Sequence, residues 1–77
     1  MAREFNQELD CSGMSCPMPI LKTKKAVDAL ETGQVLKMIA TDPGSKPDME
    51  AWSRKTGNKL LDYQQDGDKH IFFIEKA

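Results

Sequence analysis

The spacing of apolar and polar positions changes along this chain, and each change marks an element. In "REFNQELD" the two kinds alternate, with Phe5, Gln7 and Leu9 on one side, which predicts a short strand ended by the loop from Asp10 to Ser15. From Cys16 the period becomes helical. Ile20, Val27 and Leu30, with Thr23 and Ala26 between them, share one face, and Gly33 supplies a left-handed stop. "VLKMIAT", Val35 to Thr41, is a mostly apolar, β-prone run and predicts a central strand. In "DPGSKPDMEAWSRKTGN", Ser45 and Asp48 predict a capping box, and Pro47 sits in the first turn, where backbone N–H groups lack helical partners. Met49, Trp52 and Thr56 form the inner edge of this second helix, and Gly57 and Asn58 end it. The last stretch, "KLLDYQQDGDKHIFFIEKA", holds two β-like runs around the turn pair Asp66-Gly67.

The order βαβαββ implies an α/β two-layer sandwich. Right-handed crossovers place both helices on one face of a four-stranded mixed sheet. The 77 residues suffice for a single domain, 1–77. So short a chain buries only about 60% of its unfolded surface, so chemistry is expected at the surface rather than in a deep cavity. Eleven basic against twelve acidic side chains leave a formal charge of -1, which gives the whole molecule no electrostatic pull toward nucleic acid or anionic membranes. No apolar run approaches the ~18 residues of a membrane span, and "MAREFNQELD" lacks the apolar core of a secretion signal, so the expected location is the cytoplasm. In that reducing compartment Cys11 and Cys16 are expected to be thiols.

One local rule is broken in "DCSGMSCPMP". Proline is tolerated in the first turn of a helix, so Pro17 and Pro19 fit its first and third positions. Pro17 also steers Cys16 out of the α region and into the N-cap or the position beside it, just outside the helix, where serine or aspartate would cap better. A cysteine there gains from the positive end of the helix dipole, which favours a thiolate, although two prolines remove N–H donors and limit the effect. The rigid prolines hold the sulfur outward, and Gly13 turns the preceding loop and leaves room for another protein to approach. Cys11, at the end of a strand, is read as a structural core residue. The two cysteines and His70 do not complete a tetrahedral metal site, and His70 is read as a solvated hairpin residue. The connections after both parallel strands leave the same sheet edge, so Thr41, Asp42 and Gly44 should lie near the thiol. Lys22, Lys24 and Lys25 on the solvent side of the first helix, with Met18 and Leu21, offer a mixed basic and apolar surface to an acidic partner.

The stretch "LDCSGMSCPMPILKTKKAV" resembles the Asp-x-x-Gly-x-x-Cys-Pro-x-Pro signature of the TusA/SirA sulfur-carrier family, and "ATDPGSKPDMEAW" and the final hairpin extend the likeness over the chain. The resemblance implies a βαβαββ sandwich whose Cys16 accepts sulfane sulfur as a persulfide from a cysteine desulfurase or rhodanese. It then passes the sulfur to a DsrE-like or similar relay protein, for tRNA thiolation, molybdenum-cofactor supply or sulfur oxidation. It further implies that Asp10 and Gly13 form the loop, that Pro17 and Pro19 shape the helix start, and that Lys24 meets the partner. Met14 stands where leucine is commoner, and Cys11 occupies a position that the signature leaves free. No cofactor is implied beyond the carried sulfur. Two other readings compete: an interaction, regulatory or RNA-binding module, and a dithiol redox protein using Cys11 and Cys16, whose spacing is not Cys-x-x-Cys.

Overall fold

The central strand shows most directly how the sequence becomes a core. In a computed structural model describing residues 5–14 and 18–77, Leu36, Met38 and Ala40 of β2 (Val35–Ala40) are buried, while Val35, Lys37 and Ile39 between them are half-buried. Alternation of this kind makes one face of a sheet its interior face. Around it lie β1 (Gln7–Cys11), α1 (Met18–Asp28), α2 (Ser45–Thr56), β3 (Lys59–Asp66) and β4 (Lys69–Glu75). The sheet order is β1-β2-β4-β3, with β1 parallel to β2 and β4 antiparallel to both of its neighbours. Residues 1–4 and Ser15, Cys16 and Pro17 lie outside the described residues.

Both helices cover the same face, as expected. Val27 of α1, Leu30 just past its end, and Met49 and Trp52 of α2 pack with Cys11, Leu36, Met38, Ala40, Phe72 and Ile74 in one cluster. Burying each large apolar side chain contributes about 1.5–3 kcal/mol, so this layer contact is the main source of stability. Within it two polar atoms, Thr23 Oγ1 and Trp52 Nε1, are buried without a hydrogen-bond partner. Phe73 follows Phe72 in β4, so alternation sends it to the face without helices, yet it is fully buried. The ring of Phe5 lies 6.4 Å from it, and Lys37 Nζ stands 5.2 Å above the Phe5 ring.

Several local expectations are corrected. Phe5 does not continue β1 beside Leu9: the chain bends at Asn6, whose N–H donates to Val35 O (2.8 Å) while its side-chain oxygen accepts from Val35 N–H (2.9 Å). The first helix is described as Met18–Asp28; the N-cap assignment of Cys16 and the helix positions assigned to Pro17 and Pro19 turn on residues outside the described ones. Gly33 does not stop this helix, which ends at Asp28. It turns the chain with φ +88° inside Glu31–Gln34, where Gln34 N–H donates to Glu31 O. The second helix has no capping box, because Gly44 is the N-cap and Ser45 is already helical. Thr56 is exposed rather than at the inner edge, its hydroxyl donating to Trp52 O one turn back. Gly57, with φ +82°, ends this helix as expected. The hairpin turns on Gly67-Asp68, one residue later than Asp66-Gly67. Gly67 has φ +61°, and among the described residues no residue other than glycine has positive φ, which is the pattern of a II′ turn.

Candidate functional site

The candidate site is built on two strand-to-helix connections. β1 and β2 are parallel and in register, with Cys11 beside Ala40, so the chain leaves both at one sheet edge. From β1 it enters a tight turn in which Met14 N–H donates to Cys11 O (3.1 Å). Gly13 takes φ +79° there, a conformation costly for any residue with a Cβ, and among the described residues none outside its own chain neighbours comes within 4 Å of where a Cβ would stand. The Asp10 carboxylate closes the turn from the strand side by accepting from Ser12 N–H (2.9 Å). Hydrogen bonds from Ser12, first its side chain and then its backbone, hold the exposed Asp10 carboxyl below its ordinary pKa, and Lys69 adds a smaller effect in the same direction.

The second connection holds the first. Gly13 N–H donates to Thr41 Oγ1 (2.9 Å), a bond across 28 positions of sequence. Past Thr41 the chain folds on itself. Asp42 Oδ1 accepts from Gly44 N–H (2.9 Å), and Asp42 O accepts from both the N–H (3.0 Å) and the hydroxyl (2.7 Å) of Ser45. Asp42 thus does the end-closing work that the sequence had assigned to Ser45 and Asp48. Thr41 reaches the described part of the first connection through Gly13; the expected nearness of Thr41, Asp42 and Gly44 to the Cys16 thiol falls outside the described residues.

The remaining predicted positions sort by exposure. Met18 and Leu21 are exposed (43% and 54%) in the first turn of α1, which Pro19 shares, and Lys22, Lys24 and Lys25 are exposed along the same helix. Cys11, by contrast, is fully buried in the inter-layer cluster. Burial pushes its thiol pKa up, the neighbouring Asp10 charge pushes the same way, and Lys22 opposes both. His70 is not a solvated hairpin residue. It sits beside Ala40 in the sheet, half-buried, its Nδ1 hydrogen-bonded to Tyr63 Oη, the two rings stacked with centroids 5.9 Å apart. Lys46, from the first turn of α2, places Nζ 4.9 Å above the Tyr63 ring. Sequence reading had no signal for this brace, because it joins three residues from three elements; the Asp10 turn, by contrast, is legible in "DCSG".

Comparison with known proteins decides the family. The profile of the family described as Sulfurtransferase TusA matches residues 7–76. The chain belongs to the TusA family. It is 50% identical over 74 residues to the sulfur carrier protein TusA of Allochromatium vinosum, covering 96% of this chain and 97% of that one. A putative sulfur carrier protein of Bacillus subtilis is also 50% identical, over 90% of this chain and 92% of its own length. In fold the TusA-family chain matches the crystal structure of a SirA-like protein from Desulfitobacterium hafniense, with a TM-score of 0.80 at 22% identity over 94% of this chain and 99% of that one. The described part of "DCSGMSCPMP", the segment that carries the resemblance in the sequence, is the turn latched to Thr41.

Proposed function

We propose that this protein is a sulfur carrier whose Cys16 takes up sulfane sulfur and yields it to an acceptor cysteine. The family supports transfer of sulfur in general; the observation that carries the assignment to Cys16 is the burial of Cys11, the other cysteine of the chain. A thiol at 0% exposure with a raised pKa neither meets a partner protein nor ionises readily, so Cys11 fits neither the carrier nor the second thiol of a redox pair.

The transfer is an exchange at sulfur. The Cys16 thiolate attacks the outer sulfur of a donor persulfide on a cysteine desulfurase or rhodanese. A new S–S bond forms, the donor's S–S bond breaks, and the donor cysteine leaves as a thiolate. The persulfide now on Cys16 repeats the exchange with the acceptor, a DsrE-like or other relay cysteine. No net oxidation occurs and no cofactor is required. Access is the main requirement, and the features around the turn suit it: open space beside Gly13, apolar Met18 and Leu21, and the lysines of α1 facing solvent. The carrier works in the cytoplasm in this reading.

The test is to incubate the protein with a cysteine desulfurase and L-cysteine and follow its intact mass. One sulfur is expected to be added, to be removed by reductant, and to be absent from Cys16→Ser. A wild-type protein that stays unmodified, or an adduct that survives in Cys16→Ser, overturns the proposal.

A further inference from the structure

The hydrogen bond from Gly13 to Thr41 is the side-chain link that ties the described part of the signature turn to the rest of the molecule at long range. The other bonds of that turn, Ser12 to Asp10 and Met14 to Cys11, are local and fix its shape without fixing its direction relative to the sheet edge. Thr41 is itself well held. It follows directly on β2, whose last residue pairs with Cys11 on one side and His70 on the other, and it precedes the closed Asp42–Ser45 cap. The cap in turn leads into a helix whose first turn is braced by Lys46 over Tyr63 and by the Tyr63–His70 bond. Gly13 stands three residues before Cys16.

We infer that Thr41 is a positioning residue for sulfur transfer: its hydroxyl, by accepting the Gly13 N–H, sets the direction in which the signature turn presents Cys16 to a donor or acceptor protein. The inference rests on the carrier reading of Cys16. Thr41 does not touch the reacting sulfur in this account. It narrows the range of turn orientations, so a docking partner meets the thiol already aimed. A small reagent approaches from any side and gains nothing from the latch. A partner protein has one docked geometry, and misplacement of a reacting atom by about 1 Å is costly.

Two variants separate this from a merely structural role. Thr41→Val keeps the shape and β-propensity but cannot accept the bond, whereas Thr41→Ser retains the acceptor oxygen. Three readouts are taken on each: thermal midpoint, rate of alkylation by iodoacetamide, and single-turnover rate of loading by a cysteine desulfurase charged with L-cysteine. In Thr41→Val, loading is expected to slow roughly three- to tenfold, the range set by one net hydrogen bond. Alkylation of Cys16 should stay within about twofold of wild type, and Thr41→Ser should restore most of the loading rate. Loading of Thr41→Val at the wild-type rate overturns the inference, as does alkylation slowed in parallel with loading, or a Thr41→Ser protein as slow as Thr41→Val. Failure of the carrier reading is distinct, because there the wild-type protein itself takes up no sulfur.

Discussion

The two strand-to-helix connections leave the same sheet edge, carry similar residues and are built to different ends. "TDPGSKP" closes on itself, with the Asp42 carboxylate and carbonyl engaging Gly44 and Ser45 and Pro47 inside the first turn of α2. "DCSGMSCPMP" has an equally ordered beginning, with Asp10 on Ser12, but borrows Thr41 from the other connection for its long-range support. In sequence it continues through Cys16 and Pro17 into α1, whereas the second connection enters α2 through a closed cap. The contrast teaches that one connection is spent on stability and so holds the other, which is then free to carry residues poor for helix initiation. A thin two-layer core tolerates this because most of its apolar contact, Leu36, Met38, Phe72 and Ile74 against the helices, lies in the strands and helices rather than in the connections.

The sharpest way to break the comparison is Cys16→Ser. If the first connection sacrifices stability for chemistry, serine should abolish sulfur loading and leave the thermal midpoint unchanged or higher, by up to about 1 kcal/mol if it caps α1 better than cysteine. Mass spectrometry reads the first effect and calorimetry the second. A large fall in stability would instead mean that Cys16 is a packing residue.

Next in size is a matched pair of glycines. Gly13 and Gly57 have nearly the same backbone, φ +79° and +82°, and neither has an atom within 4 Å of where a Cβ would stand. Gly13→Ala and Gly57→Ala should therefore each cost about 1–2 kcal/mol of stability through backbone strain alone. Only Gly13→Ala should also slow loading by the desulfurase, because only that turn aims the thiol. Equal loading by the two variants would remove the distinction between the connections. Smaller again is Asp42→Ala, which should cost about 1 kcal/mol by opening the start of α2. Its denaturation midpoint should fall while the far-ultraviolet helix signal at low temperature is kept.

How far the sequence could be read follows from how local each signal is. The strands, both helices and their common face were legible, because amphipathic periods and the Gly57 stop are written within a few residues of where they act. The Asp10 turn was legible for the same reason. What failed were features settled by competition or by distance. Ser45 and Asp48 make a good capping pattern, but Asp42, three residues earlier, satisfies the same end first. Gly33 looked like a helix stop, yet α1 ends at Asp28 and Gly33 is used to turn into β2. His70 looked solvated because nothing near it in sequence announces Tyr63 across the hairpin or Lys46 from α2. The Gly13–Thr41 latch, spanning 28 positions, belongs to the same class.

The smallest effect separates two neighbours on the first connection by the sign of their response to pH. Asp10 is held ionised by Ser12, so its folded pKa lies below the unfolded one. Its contribution is then present above the ordinary carboxylate range and is lost as pH falls through the folded value. Cys11 is held neutral by burial, so its folded pKa lies above the unfolded one. Its contribution is present below the ordinary thiol range and is lost as pH rises toward the folded value. Melting curves of wild type against Asp10→Asn should therefore differ near neutral pH and converge as pH falls below the ordinary carboxylate range. Wild type against Cys11→Ala should show a gap that narrows only in alkaline solution. The Asp10 difference will be slight, since its carboxylate is fully exposed and screened by water. A gap for Asp10→Asn that widens in acid would mean that the carboxylate destabilises the turn, and that the order in the signature loop comes from the Thr41 latch alone.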